Sequence, residues 1–211
     1  MPGRLRNGIR NGTYALVALL CLVILKVVFR IRIRGRENIE REAEYIIVAR
    51  HRSYWDAPVM AVAIGLFRRV QFISRKGLMR AMPVLRPIIR LFSTVIDREN
   101  FGRSDFRKML EAMKGERLIG LFPEGTTRAR VDAKAGAVHF ARLTGKRILP
   151  VNIMSDGPYP PKYPFGLPRL SVSIGEPFDV SDLSLEVGEA GTRSEQTQRM
   201  SERLMVRVDN A

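Results

Sequence analysis

Six short apolar runs, at 45–49, 70–74, 94–96, 118–122, 148–153 and 170–174, are separated by segments mostly long enough for helices. This alternation constrains the fold most. Short strands that are apolar throughout are buried on both faces, and helical connections between them make neighbouring strands parallel. The expectation is an α/β protein, a single domain with a central mixed, largely parallel sheet flanked by helices. One connection is explicit: Ser104 is a candidate N-cap, Phe106, Met109, Leu110 and Met113 follow at helical spacing, and Gly115 can end the helix. A terminal helix over 194–208 carries Met200, Leu204 and Val208 on one face. The segment 155–168 holds Pro158, Pro160, Pro161, Pro164 and Pro168 among Tyr159, Tyr163 and Phe165, which excludes a regular element. It reads either as a rigid structural loop or as an aromatic surface for lipid.

Ahead of this pattern, an apolar run over 13–29 is interrupted only by Lys26. The first 36 residues carry Arg4, Arg6, Arg10, Lys26, Arg30, Arg32, Arg34 and Arg36 and no acid, more than half of the chain's net +15. As a helix the run reaches about 25 Å, short of a bilayer core of about 30 Å. A half-inserted membrane-associating helix is the preferred reading; a core helix and a cleaved signal are the alternatives. Against cleavage, cations stand at 30–36 where a small-residue site belongs. The expected division is therefore 1–30 as a basic, apolar membrane-anchoring segment and 31–211 as the folded domain.

Such a charge favours polyanionic partners, either nucleic acid or an anionic membrane surface. The densest cations flank an apolar run and no nucleic-acid-binding motif is recognisable, so membrane lipids are the expected partner and nucleic acid is not. A single cysteine, Cys21, excludes an intramolecular disulfide and a zinc-finger cluster, and two histidines leave little material for a metal site. No metal is expected.

His51 follows the first buried run and Asp56 comes five residues later. On one ideal helix two such side chains would not face each other. They can meet only if His51 precedes the helix, at a strand end turning into a helix start, where α/β sheets usually bind ligands. A carboxylate on one ring nitrogen would then leave the other free to take a proton from a hydroxyl. The competing reading is a capping box over 53–56, in which Asp56 only satisfies the Ser53 amide. After the fourth run comes Phe122-Pro123-Glu124-Gly125-Thr126-Thr127-Arg128, where glycine permits close backbone approach and arginine offers a fork for phosphate. Ile96-Asp97-Arg98 ends the third run, with either Arg98 on the same rim or an internal Asp97–Arg98 pair, and Arg75 and Lys76 follow the second run. His139, in an apolar helical stretch, reads as structural.

In this order the blocks His51-Arg-Ser-Tyr-Trp-Asp56, Val95-Ile96-Asp97-Arg98, Phe122-Pro123-Glu124-Gly125-Thr126 and Ile148-Leu149-Pro150-Val151 resemble the glycerolipid acyltransferase family, of the 1-acylglycerol-3-phosphate O-acyltransferase type, across about residues 31 to 180. The resemblance implies that 31–211 is an acyltransferase domain. It implies transfer of a fatty acyl group from acyl-CoA or acyl carrier protein to the free hydroxyl of a lysophospholipid, giving phosphatidic acid or a relative, with no cofactor beyond the co-substrate. It makes His51 the general base and Asp56 its orienting partner. Acceptor binding would fall to Glu124, Gly125, Thr126 and Arg128, with Arg98 and Lys76 on the same rim. Arg50 stands where the family usually has asparagine, and Thr127 where many members have arginine, so Arg128 would take the phosphate contact. The location implied is a membrane, at its cytoplasmic face.

Overall fold

The computed structural model describes residues 2–97, 100–124, 136–187 and 191–211. The chain opens with α1 (Pro2–Val27) and a short strand β1 (Arg32–Arg34), then β2 (Tyr45–Val48), α2 (Asp56–Ile64) and β3 (Val70–Arg75). Two short helices, α3 (Lys76–Ala81) and α4 (Arg86–Phe92), lead to β4 (Ser93–Ile96). Next come α5 (Arg103–Gly115), β5 (Leu118–Leu121), α6 (Gly136–Thr144), the long β6 (Arg147–Asp156), β7 (Arg169–Ile174), α7 (Val180–Val187) and α8 (Arg193–Asp209).

The seven strands form one sheet in the order β1-β7-β6-β2-β5-β3-β4. All neighbours are parallel except β6 and β7, so the sheet is mixed and largely parallel, as the apolar runs require. Alternation along the central strand divides the core in two. Tyr45, Ile47 and Ala49 pack against Val59, Met60 and Ala63 of α2 and the end of α1, whereas Ile46 and Val48 pack with α5, α6 and α8 through Met113, Val138 and Leu204. With both faces covered, every residue of β2 is fully buried. Its carboxyl end, together with those of β3, β4, β5 and β6, opens on one edge of the sheet.

Gly120 of β5 shows why one small residue is needed in this core: a Cβ there would lie 2.5 Å from the Phe72 ring and 3.0 Å from the Met60 sulfur. The structure adds β1, a three-residue edge strand inside the cationic run, too short and too polar for its pattern to register. It also moves the start of α5, which is capped at Gly102, ahead of the expected Ser104. Asp105 explains the shift, since its carboxylate accepts from the backbone N–H groups of Asp97 and Gly102 and is itself buried.

α1 lies along the α2 face of the domain and is fixed at both ends. Arg10 donates to the Leu91 carbonyl, to Glu116 and to Gln71, at 3.2, 2.7 and 2.7 Å. At its other end Leu25, and just past it Phe29, enter the main core, and the Phe29 carbonyl accepts from Leu170 of β7. Tyr14 and Ala18 are buried against Phe92 on the inner face. Ile9, Leu16, Leu20, Val23 and Val27 form an exposed apolar stripe on the outer face, which explains why the apolar window Asn7–Val27 is only 17% buried.

Candidate active site

Three residues beyond β2, the chain turns sharply before entering α2 at Asp56, so His51 stands before the helix and Asp56 begins it. The His51 Nδ1 lies 3.0 Å from Asp56 Oδ2. A neutral imidazole donates its Nδ1 proton there and keeps its Nε2 lone pair as a proton acceptor. Asp56 meets the ring and the Ser53 amide alike, but no capping box over 53–56 forms, because the N-cap of α2 is Trp55 with no side-chain cap bond. The same Oδ2 accepts from the backbone N–H groups of Arg52 and Ser53 at 2.6 and 2.7 Å, so the carboxylate organises the turn while it orients the ring. Asp56 is 1% exposed and the His51 side chain 20%, an arrangement in which the carboxylate is shielded and the imidazole is reachable.

Phe122, just past β5, stacks on the His51 ring at 4.4 Å between centroids and 18° between planes, with Phe72 stacked behind it. The imidazole is thereby fixed by an aromatic face as well as by the carboxylate. Glu124, two residues further on, is turned inward. Its Oε1 accepts from Arg50 at 2.7 Å and its Oε2 from the His51 backbone N–H at 2.9 Å. A carboxylate so occupied, and only 5% exposed, holds the histidine's backbone.

Arg50 also forms a two-pronged pair with Asp209 at the end of α8, both contacts at 2.6 Å. That pair first, and Glu124 next, push the guanidinium further above its already high range. The departure from asparagine at this position thus ties the terminal helix to the turn that carries His51. On the opposite side, the Tyr159 hydroxyl donates to Asp56 Oδ1 at 2.5 Å. Burial, then the adjacent Asp56 charge, raises the phenol well above its ordinary value and keeps it protonated as a donor. Tyr159 belongs to the proline-rich segment, whose Tyr163 accepts from Trp55 Nε1 at 2.7 Å while Phe165 stands 96% exposed.

Lys76 opens α3 at the carboxyl end of β3, 63% exposed, with its Nζ 3.8 Å from Asp97 Oδ2. Arg98, Gly125, Thr126 and Arg128 lie outside the described residues. His139 is on the exposed face of α6 against Phe106 and Phe140, in keeping with a structural role. Three contributors carried little sequence signal of their own: Phe122, marked only by its place in the Glu124 block, Arg50, marked only as a departure, and Tyr159, marked only by the aromatic residues among the prolines.

The chain is similar to proteins already known. A family model described as Acyltransferase matches residues 30–154. The chain is 26% identical over 169 residues to the 1-acyl-sn-glycerol-3-phosphate acyltransferase of Bacillus subtilis (strain 168), covering 78% of this chain and 83% of that protein. It is 31% identical over 145 residues to the protein of the same name from Streptococcus pneumoniae (strain ATCC BAA-255 / R6), covering 68% of this chain and 53% of that protein. The crystal structure of the 1-acyl-sn-glycerophosphate (LPA) acyltransferase from Thermotoga maritima superposes with a TM-score of 0.70 at 23% identity, over 97% of this chain and 82% of that one, and shares the fold.

Proposed function

The chain belongs to the Acyltransferase family, and on that premise we propose that it acylates 1-acylglycerol-3-phosphate to phosphatidic acid, using acyl-CoA or acyl carrier protein as donor. The observation that carries the proposal is the contact between His51 Nδ1 and the buried Asp56 carboxylate at the carboxyl edge of a parallel sheet. The names of the two bacterial relatives supply the acceptor.

In the proposed reaction His51 Nε2 takes the proton of the acceptor hydroxyl as its oxygen attacks the thioester carbonyl carbon. The C–S bond then breaks, and the thiolate leaves with the proton returned from the imidazolium. Asp56 keeps the Nδ1 proton in place and stabilises the transient imidazolium. Glu124 and Phe122 hold the ring from its backbone and its face. Lys76 at the rim, with Arg98, Gly125, Thr126 and Arg128, is assigned to the acceptor phosphate by the resemblance. No cofactor enters this scheme beyond the donor itself.

We further propose that residues 1–30 serve as a membrane attachment at the cytoplasmic face, with 31–211 as the acyltransferase domain. A helix pinned to the domain at Arg10 and at Phe29 lies alongside it, and its outer apolar stripe suits the plane of one leaflet. Both lipid substrates are concentrated there. The test is an assay of purified full-length protein crossing acyl-CoA and acyl-carrier donors against lysophospholipids of different headgroup. Formation of phosphatidic acid from 1-acylglycerol-3-phosphate is expected. Turnover confined to other headgroups overturns the acceptor assignment, and no acyl transfer to any of them overturns the reaction.

A further inference from the structure

The Asp56 carboxylate divides its two oxygens between two tasks. Oδ2 takes the imidazole and two backbone N–H groups, as described above, whereas Oδ1 is held by the Tyr159 hydroxyl at 2.5 Å. The terminal torsion of aspartate is broad, so three donors on Oδ2 leave play in the carboxylate plane that a donor on Oδ1 narrows. Tilting the carboxylate plane away from this setting would weaken the His51 contact and the two turn contacts together. Tyr159 reaches this place from the segment after β6, not from the histidine turn, and its ring packs against the core on the α2 face. The segment is held in turn by Trp55 Nε1 on Tyr163 at 2.7 Å.

We propose that Tyr159 is a positioning residue of the proposed acyl transfer: its hydroxyl holds the plane of the Asp56 carboxylate at the setting that meets His51, so that dyad and proline-rich segment form one unit. It touches neither the reacting hydroxyl nor the thioester, and acts only through Asp56. This assignment rests on the acyltransferase reading for its kinetic consequence but not for its geometry. Because phenylalanine keeps the ring and its packing, Tyr159→Phe removes the hydroxyl alone.

The experiment measures kcat and both KM values for full-length Tyr159→Phe, Asp56→Asn and the double variant. Tyr159→Phe is expected to lower kcat about tenfold, the kinetic equivalent of one charge-assisted hydrogen bond. Both KM values should stay within about twofold, because no substrate contact is removed. In the Asp56→Asn background the same substitution should cost much less, since the carboxylate it positions is gone. Wild-type kcat in Tyr159→Phe, a loss that multiplies fully onto that of Asp56→Asn, or a rise in both KM values would each overturn the proposal. Where Asp56→Asn turns over too slowly to measure, the low-field Nδ1 proton of His51 is followed by NMR. It is expected to move in Tyr159→Phe, and an unchanged resonance overturns the proposal. Should the wild type acylate no lysophospholipid, the acyltransferase reading falls while this resonance still decides the role of Tyr159.

Discussion

The turn at His51 and the outer face of α1 break the ordinary rule of burial in opposite directions. At the turn, Asp56 and Glu124 are charged yet 1% and 5% exposed, and all four carboxylate oxygens are matched to donors. Along α1, Leu16, Leu20 and Val27 are apolar yet 59%, 57% and 73% exposed. The helices after β3 share the second character: α3 buries none of its residues, and Val84 is 87% exposed in a stretch whose charged residues, Arg75, Lys76, Arg80, Arg86 and Arg90, are all basic. Buried charge is costly unless paired, and its geometry is then fixed. Exposed apolar surface is costly unless covered, and leaves the choice of cover to a partner. The first region thus suits chemistry that needs one arrangement of atoms, and the second suits a fluid surface.

If that division is sound, damage to the turn should act on turnover and damage to the outer face on where turnover occurs. The largest effect is expected from His51→Ala, which removes the proton acceptor. Acyl transfer should fall by about a thousandfold with the melting temperature little changed, since the imidazole is partly exposed. Retained transfer in a folded variant would end the assignment of His51 as base. Asp56→Asn comes next, with kcat down about a hundredfold, because an amide can still accept from the Arg52 and Ser53 amides but no longer stabilises an imidazolium. A KM effect without a kcat effect would move Asp56 from the reaction to binding.

On the outer face, Leu20→Asp with Val23→Asp should leave the melting temperature and the turnover of a water-soluble short-chain acceptor unaltered. Binding to anionic vesicles should weaken about tenfold or more, measured by co-sedimentation. The contrast sharpens if salt also weakens binding of the unaltered protein, as expected when basic residues near the surface each contribute about 1 kcal/mol. If the double variant binds vesicles as before, α1 is not the element that meets lipid.

How much of each region was legible follows from the length scale of its signals. The strands were readable because burial on both faces of β2, β5 and β6 leaves unbroken apolar runs, whereas the His51–Asp56 spacing alone left a capping box open and the dyad came from the resemblance of four blocks in order. The two faces of α1 were not separable: apolar residues occupy the inner side at Tyr14, Ala18 and Leu25 and the outer side at Leu16, Leu20 and Val23 alike. Contacts between distant segments left no local trace. Tyr159 lies 103 positions from Asp56, and the partner of Arg50 at Asp209 lies 159 positions away, so only the fold brings them together. The partners of Glu124 were hidden for the same reason. Its two donors, Arg50 and the His51 amide, belong to a turn that a local motif cannot see.

The smallest predicted effect tests where the fixed region ends. Arg50 links Glu124, 5% exposed, to Asp209, 45% exposed, so one guanidinium carries a buried contact and a surface one. Arg50→Asn strips the buried carboxylate of its cation and should cost about 1–3 kcal/mol of stability in denaturant unfolding. Asp209→Asn removes only the solvated partner, and solvent screening reduces such a pair to about 0.2–1 kcal/mol. For a domain of this size the melting temperature should drop by no more than about 4 °C. Because the Glu124 contact to the His51 amide survives in Asp209→Asn, kcat should hold at the wild-type value. Placed on the Arg50→Asn background, Asp209→Asn should then cost less than it does alone. A large fall in kcat from Asp209→Asn alone would extend the ordered region out to the surface through α8, and the terminal helix would then be part of what aims His51 rather than a support behind it.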